Sequence, residues 1–189
     1  MAQIYLASRS PRRRELLTQL NIQYDLVDGD IDERQLTGES ATDYVVRLAS
    51  EKAQQGWRNS AQDKPVLGAD TIVVYQQQLL GKPQSQQDAV QTLTLLSGNK
   101  HQVITAIAVC YQQSIETLWV ESDVEFADIS KDEILAYWQT GEPQDKAGSY
   151  AIQGIGGQFV KRIQGSYSAI VGLPLYETKQ LVHKVIQQL

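Results

Sequence analysis

LASRSPRRRELL, residues 6–17, reads as the end of a buried strand, a short polar loop and the first turns of a helix. A strand passing through a tight loop into a helix is the repeating step of an α/β fold. Pro11 suits the first helical position, which needs no N–H. Three arginines, Arg12, Arg13 and Arg14, fall in the first turn. That end of a helix carries unpaired N–H groups and partial positive charge, so cations are unfavourable there. An anion reverses the penalty: a phosphate would meet backbone N–H groups, arginine forks and the hydroxyls of Ser8 and Ser10. Successive helical residues point about 100° apart, so the three arginines cannot all face one phosphate. A solvated basic helix start, paired with Glu15 or a neighbour, explains the cluster as well. The Gly-Lys-Ser/Thr of a Walker A loop is absent.

Outward from this stretch, strand and helix alternate. Residues 3–7 are expected to form a strand, 11–20 a helix and YDLVDG (24–29) a short strand. ESATDYVVRLASEKAQQGW reads as a second helix, with Ser40 as N-cap and Asp43 in the capping-box position. Val45, Leu48, Ala49 and Lys52 follow the spacing of one helical face, so Lys52 continues an apolar stripe. PVLGADTIVVY reads as a strand interrupted at Gly-Ala-Asp. A helix near 85–96 ends at Ser97-Gly98, and 101–112 with 115–126 form a long hairpin. Ser130 and Glu133 make a capping box for a helix ending at Gly141. A glycine-rich stretch, GSYAIQGIGG, then leads into the expected strands FVKRI and YSAIVG, and Pro174 opens a final helix. The 189 residues fit one domain, 1–189, with enough chain to bury a sizeable core.

Charge and composition exclude several classes. A net charge of -5 disfavours a general nucleic-acid or membrane-surface binder, so the arginines must act locally. The N-terminal MAQIYLAS lacks a signal-peptide core, and no segment nears the roughly 18 apolar residues of a membrane span. A single cysteine, Cys110, permits no internal disulfide and sits in an apolar run as a core residue. A soluble cytoplasmic protein is expected. His101, read as a strand cap, and His183, on a helix surface, are far apart without cysteine partners, which disfavours zinc. No GxSxG elbow is present.

The remaining polar residues have two readings each. Asp70, between apolar runs, could bind a metal or deprotonate water, or could sit in an Asp turn between two strands. Glu33 lies in an acidic loop with Asp30 and Asp32, where solvation alone accounts for it. Lys52 could snorkel to water, and Lys82 in GKP could be a turn lysine. Gly154, Gly156 and Gly157 fit a phosphate loop or a tight turn. Together, basic groups and oxygen ligands for Mg²⁺ are what triphosphate chemistry needs.

The ordered set of motifs carries more. Ser8-Arg9-Ser10-Pro11-Arg12-Arg13 with Glu15-Leu16-Leu17, Glu33, RLASEK around Lys52, GADT at 68–71, GKP at 81–83, DKAG at 145–148 and GSY…VGLP ending at Pro174 resembles the Maf nucleotide pyrophosphatases over essentially the whole chain. The resemblance implies an α/β fold: one mixed-sheet domain of two lobes with a central cleft, similar to inosine triphosphate pyrophosphatases, often in a homodimer. It implies a cytoplasmic enzyme that splits nucleoside triphosphates into monophosphate and pyrophosphate with a divalent metal, Mg²⁺ or Mn²⁺. Asp70 matches the family's proton acceptor, and Ser8, Arg13, Lys52 and Lys82 its phosphate contacts. Glu33 matches a position near the metal and catalytic water, so Glu33 and Asp70 are the expected metal-side carboxylates. Arg12, Thr71 and Gln153 stand where members differ in base choice, in the combination of the dTTP/UTP branch. One amide at Gln153 can answer both the N3–H donor and the O4 acceptor of uracil or thymine. Free nucleotide is then the substrate, without nucleic acid or membrane. The rivals are a nucleotide-binding regulator of septum formation and a purine-directed pyrophosphatase. An RNA-binding module is disfavoured by the charge and by the lack of a stacking platform near the arginines.

Overall fold

The structure, a computed structural model, describes residues 3–188. Its strands are β1 (Ile4–Ala7), β2 (Tyr24–Leu26), β3 (Val66–Tyr75), β4 (Gln78–Leu80), β5 (Lys100–Tyr111), β6 (Ser114–Phe126) and β7 (Val160–Gln164). Its helices are α1 (Pro11–Gln19), α2 (Ala41–Asn59), α3 (Gln86–Leu96), α4 (Lys131–Gln139), α5 (Tyr167–Val171) and α6 (Leu175–Ile186). The strands form one sheet in the order β2-β1-β3-β5-β6-β7, with β4 also pairing with β3. β1 is parallel to β2 and β3, while β3–β4 and β6–β7 are antiparallel, which makes the expected mixed sheet. Among the described residues no helix is long and apolar enough to cross a membrane.

The chain divides into two compact units. The first takes the residues up to Asp70, 105–120 and 172 onward; the second takes 71–104 and 121–171. In the first, α2 buries Val45, Leu48, Ala49, Ala53 and Gly56 along the face read from the sequence. Ser40 caps it by accepting from the Asp43 N–H, and the Ser40 hydroxyl donates to the Asp43 carboxylate. In α1, Ser10 caps and Pro11 stands in the first turn. The second unit is built on Leu93, Leu96, Val103, Val124, Phe126, Ile134, Tyr137, Tyr150 and Phe159. The Ser130–Glu133 capping box is present in full at α4.

Three expectations are corrected. β3 runs without a break through Gly68, Ala69 and Asp70. Gly68 marks no turn but a close approach: a Cβ there would lie 2.4 Å from the Ala49 carbonyl oxygen and 2.6 Å from the Ala53 nitrogen, both in the backbone of α2. YSAIVG is not a strand but the short helix α5. The Ser166 hydroxyl accepts from the Ala169 N–H, its carbonyl accepts from Ile170, and Gly165 and Gly172 flank the turn with positive φ. These local bonds outweigh the strand preference of Ile and Val. His101 is not a strand-end cap but a buried ring inside β5, 2.8 Å from the Tyr150 hydroxyl and edge-on to Phe126. Cys110 is buried, and His183 lies exposed on α6, as read.

Replacing Gly68 by alanine should destabilise the protein by about 1–3 kcal/mol, the usual cost of overpacking. Gly81→Ala, where a Cβ meets nothing within 4 Å, is the near-neutral control. Denaturant midpoints of the two variants check this. Burial also lowers the His101 pKa to about 4, against a smaller upward pull from Asp123. Between pH 6.5 and 4 the unfolded chain therefore binds a proton that the folded one does not, and stability should fall as pH falls through that window. His101→Phe should flatten this part of the stability profile in urea titrations at several pH values.

Candidate active site

The loop between β1 and α1 places the first group. The Ser10 N–H donates to the Ser8 hydroxyl at 3.2 Å, so the chain folds back on itself before the helix. The Arg13 guanidinium reaches the same hydroxyl at 3.4 Å and donates through Nε to the Gly172 carbonyl at 2.8 Å. Arg13 thus turns off the helix to the segment before α6. Burial lowers its pKa from the ordinary value; Asp70 opposes this, Arg12 adds to it and Glu33 opposes it. Both carboxylates are therefore close enough to act on it. Arg9 turns the other way, to Asp28 at 3.2 Å and Asp30 at 3.5 Å. Of the three helix arginines, Arg14 lies with one guanidinium nitrogen 3.5 Å from the Arg9 carbonyl.

The second group is an ion-paired triad. Lys52 projects from α2, and its Nζ lies 2.6 Å from Asp70 Oδ1 on β3 and 2.6 Å from Glu33 Oε1 on the loop before α2. The Lys52 and Asp70 side chains are only 13% and 11% exposed, whereas Glu33 is 46% exposed. A carboxylate so withdrawn from water requires a cation, and the ammonium supplies it. The same pairing explains why a lysine continues the apolar stripe of α2: its stem packs along that face and its head meets two acids.

The Glu33 loop is held by residues that sequence reasoning passed over. Tyr44 donates its hydroxyl to the Glu33 carbonyl at 2.6 Å. Arg47 pairs with Glu39 at 2.6 Å and Glu51 at 3.2 Å and donates to the Arg34 carbonyl at 3.0 Å. The Glu39 hydrogen bond is the largest influence raising the Arg47 pKa. Only the Arg47–Glu51 spacing of four residues was a signal in the sequence.

Thr71, Lys82 and Gln153 belong to the second unit. Thr71 is half-buried in β3, and Lys82 is exposed beside buried Pro83. The Gly81 carbonyl accepts from the Gly148 N–H at 3.1 Å, which joins the GKP and DKAG segments. Gln153 is exposed in the turn that follows Tyr150. The glycines after it form a tight turn, and the N–H groups of Ile155 and Gly156 are taken by the Glu142 carboxylate at 2.9 Å each. Those donors therefore serve the protein rather than a phosphate. Arg12 lies half-buried on α1.

Among the described residues no three His, Cys, Asp or Glu side chains gather as a metal cluster. Mg²⁺ needs none, because it is commonly held by one or two carboxylates with water and substrate phosphates completing the shell. Glu33 and Asp70, each at 2.6 Å from one ammonium, already converge on a cation, and their oxygen donors suit a hard divalent ion. Arg13 adds a basic group whose charge both carboxylates influence. The arrangement offers a carboxylate base, oxygen ligands and cations for an anion within one unit.

The model of a family described as Maf-like protein matches residues 3–185. A protein of Pseudoalteromonas atlantica named dTTP/UTP pyrophosphatase is 54% identical, over 96% of this chain and 96% of its own. One of the same name from Pseudoalteromonas translucida is 54% identical over 97% of each chain, and one from Vibrio parahaemolyticus is 51% identical over 97% of each. With a match that runs from the first described strand into the last helix, the chain belongs to the Maf family.

Proposed function

We propose that the protein hydrolyses dTTP and UTP to the nucleoside monophosphate and pyrophosphate, removing unwanted or modified pyrimidine nucleotides from the pool. The observation that carries this is the Glu33–Lys52–Asp70 triad beside Arg13, in a chain about half identical to relatives that bear the name dTTP/UTP pyrophosphatase. Asp70 accepts a proton from water as the water adds across the α–β phosphoanhydride. Ser8, Arg13, Lys52 and Lys82 bind the phosphates, and the cations offset charge that builds on the phosphate oxygens. Glu33 and Asp70 would hold a divalent cation, Mg²⁺ or Mn²⁺. When bound, that ion supplies Lewis-acid polarisation of phosphate oxygens. Gln153 reads the pyrimidine edge, with Arg12 and Thr71 contributing to base choice. The substrate is free nucleotide, and the reading puts the enzyme in the cytoplasm.

Incubation with each common nucleoside triphosphate and Mg²⁺ tests the assignment. UTP and dTTP should give monophosphate and pyrophosphate, chelation should stop the reaction, and diphosphate with orthophosphate as products would overturn it. Asp70→Asn should cut turnover by on the order of 10²-fold or more. Lys52 keeps Glu33 as a partner in that variant, so the fold should survive, and melting temperature measured beside turnover separates the two effects. Arg13→Ala should weaken triphosphate binding by about 1–3 kcal/mol, the scale of a charge-assisted contact, as read by calorimetry in the Asp70→Asn background.

A further inference from the structure

The turn that carries Gln153 is fastened on both sides of that residue. On the upstream side the Ala151 N–H donates to the Tyr137 hydroxyl at 3.1 Å. On the downstream side the N–H groups of Ile155 and Gly156 donate to Glu142 Oε2 and Oε1 at 2.9 Å. The two anchors are themselves joined, because the Tyr137 hydroxyl donates to Glu142 Oε1 at 2.6 Å. Tyr137 is 2% exposed on α4, in edge contact with Phe159, so one end of the clamp is set in the core. Two further bonds close the turn, from Gly154 N–H to the Ala151 carbonyl and from Gly157 N–H to the Gly154 carbonyl.

Clearances show how tightly the clamp fits. A Cβ on Gly154 would lie 2.1 Å from Glu142 Oε2, and one on Gly156 would lie 2.5 Å from the Tyr137 hydroxyl oxygen. These glycines are small so that the carboxylate and the phenol can reach the backbone. Burial alone would raise the Glu142 pKa, but the Tyr137 hydroxyl and the two N–H groups outweigh it, with Lys146 assisting, and the pKa is lowered. The acceptor therefore stays ionised when the clamp is closed.

We propose that Tyr137 and Glu142 are positioning residues for base recognition, holding the backbone on either side of Gln153 so that its side chain leaves the main chain at one place and in one direction. This rests on the reading that Gln153 contacts the base. An amide can meet both groups of a base edge only if its stem starts at the right distance and angle, and a preorganised backbone is what fixes that origin.

The variants Glu142→Gln, Tyr137→Phe and Gln153→Ala test this, each assayed below its melting temperature. Glutamine at 142 would turn an NH₂ group toward the Ile155 or Gly156 N–H, donor against donor. Phenylalanine at 137 removes the acceptor for Ala151 with little change of shape. The readouts are kcat/KM for UTP, kcat/KM for GTP, and the inhibition constant of inorganic tripolyphosphate, which carries the phosphate chain without a base. All three variants should lower the UTP-to-GTP ratio by about 10-fold or more and leave tripolyphosphate inhibition unchanged. In the Gln153→Ala background, adding Glu142→Gln should leave the ratio where it is. A wild-type ratio in both clamp variants beside a shifted one in Gln153→Ala overturns the clamp alone. Equal losses toward UTP, GTP and tripolyphosphate overturn it in favour of a general folding role. A wild-type ratio in Gln153→Ala overturns the reading of Gln153, and the clamp with it.

Discussion

One ammonium group between two carboxylates organises the first unit. Lys52 stands 2.6 Å from both Asp70 and Glu33. Without it a nearly buried aspartate in a central strand would be an uncompensated charge, a burden of several kcal/mol. With it the strand, the long helix and the acidic loop are tied at one point. The pairing also keeps a basic group and two acids together at one place in the first unit.

Close backbone packing sets the frame in which that ammonium meets the strand. Gly68 lets β3 come up to α2 at Ala49 and Ala53, one turn or less from Lys52 along the helix. Gly56 repeats the device farther along, where a Cβ would meet Ala7 and Val66 at 2.8 Å, and Gly29 does so against Ala7 and the Lys52 carbonyl. Small residues at three contacts thus draw β1, β3 and the loop after β2 onto one helix. The acid–base geometry follows from packing, and a methyl group at any of these points would push it apart.

What was legible in the sequence was what is local. Ser40, Ser130 with Glu133 and Pro11 act over a turn and each fixes a helix start that the structure keeps, while the period of α2 fixes its buried face. GADT misled because glycine and aspartate are turn formers by composition, and only the approaching helix makes them strand residues. YSAIVG misled because its β-branched residues favour strands while its helical bonds come from Ser166. Lys52 could be put on a face but not given its partners, which lie 18 and 19 residues away on other elements. Lys82 and Gln153 are singled out by family resemblance, since neither stands in a local pattern of caps or periodicity that would mark it. Glu142 was invisible: nothing in GEPQD announces a carboxylate that will meet two N–H groups beyond the next motif.

The bonds of the Glu142 clamp go to main-chain N–H groups and a hydroxyl. Backbone N–H groups are the same for every residue except proline. The frame of the turn, including the glycines at 154 and 156, is therefore intolerant of change, and its main-chain bonds do not themselves call for one particular side chain at 153. A frame held by main-chain bonds thus constrains a lineage at its small residues and its anchors, Tyr137 and Glu142, rather than along the whole turn.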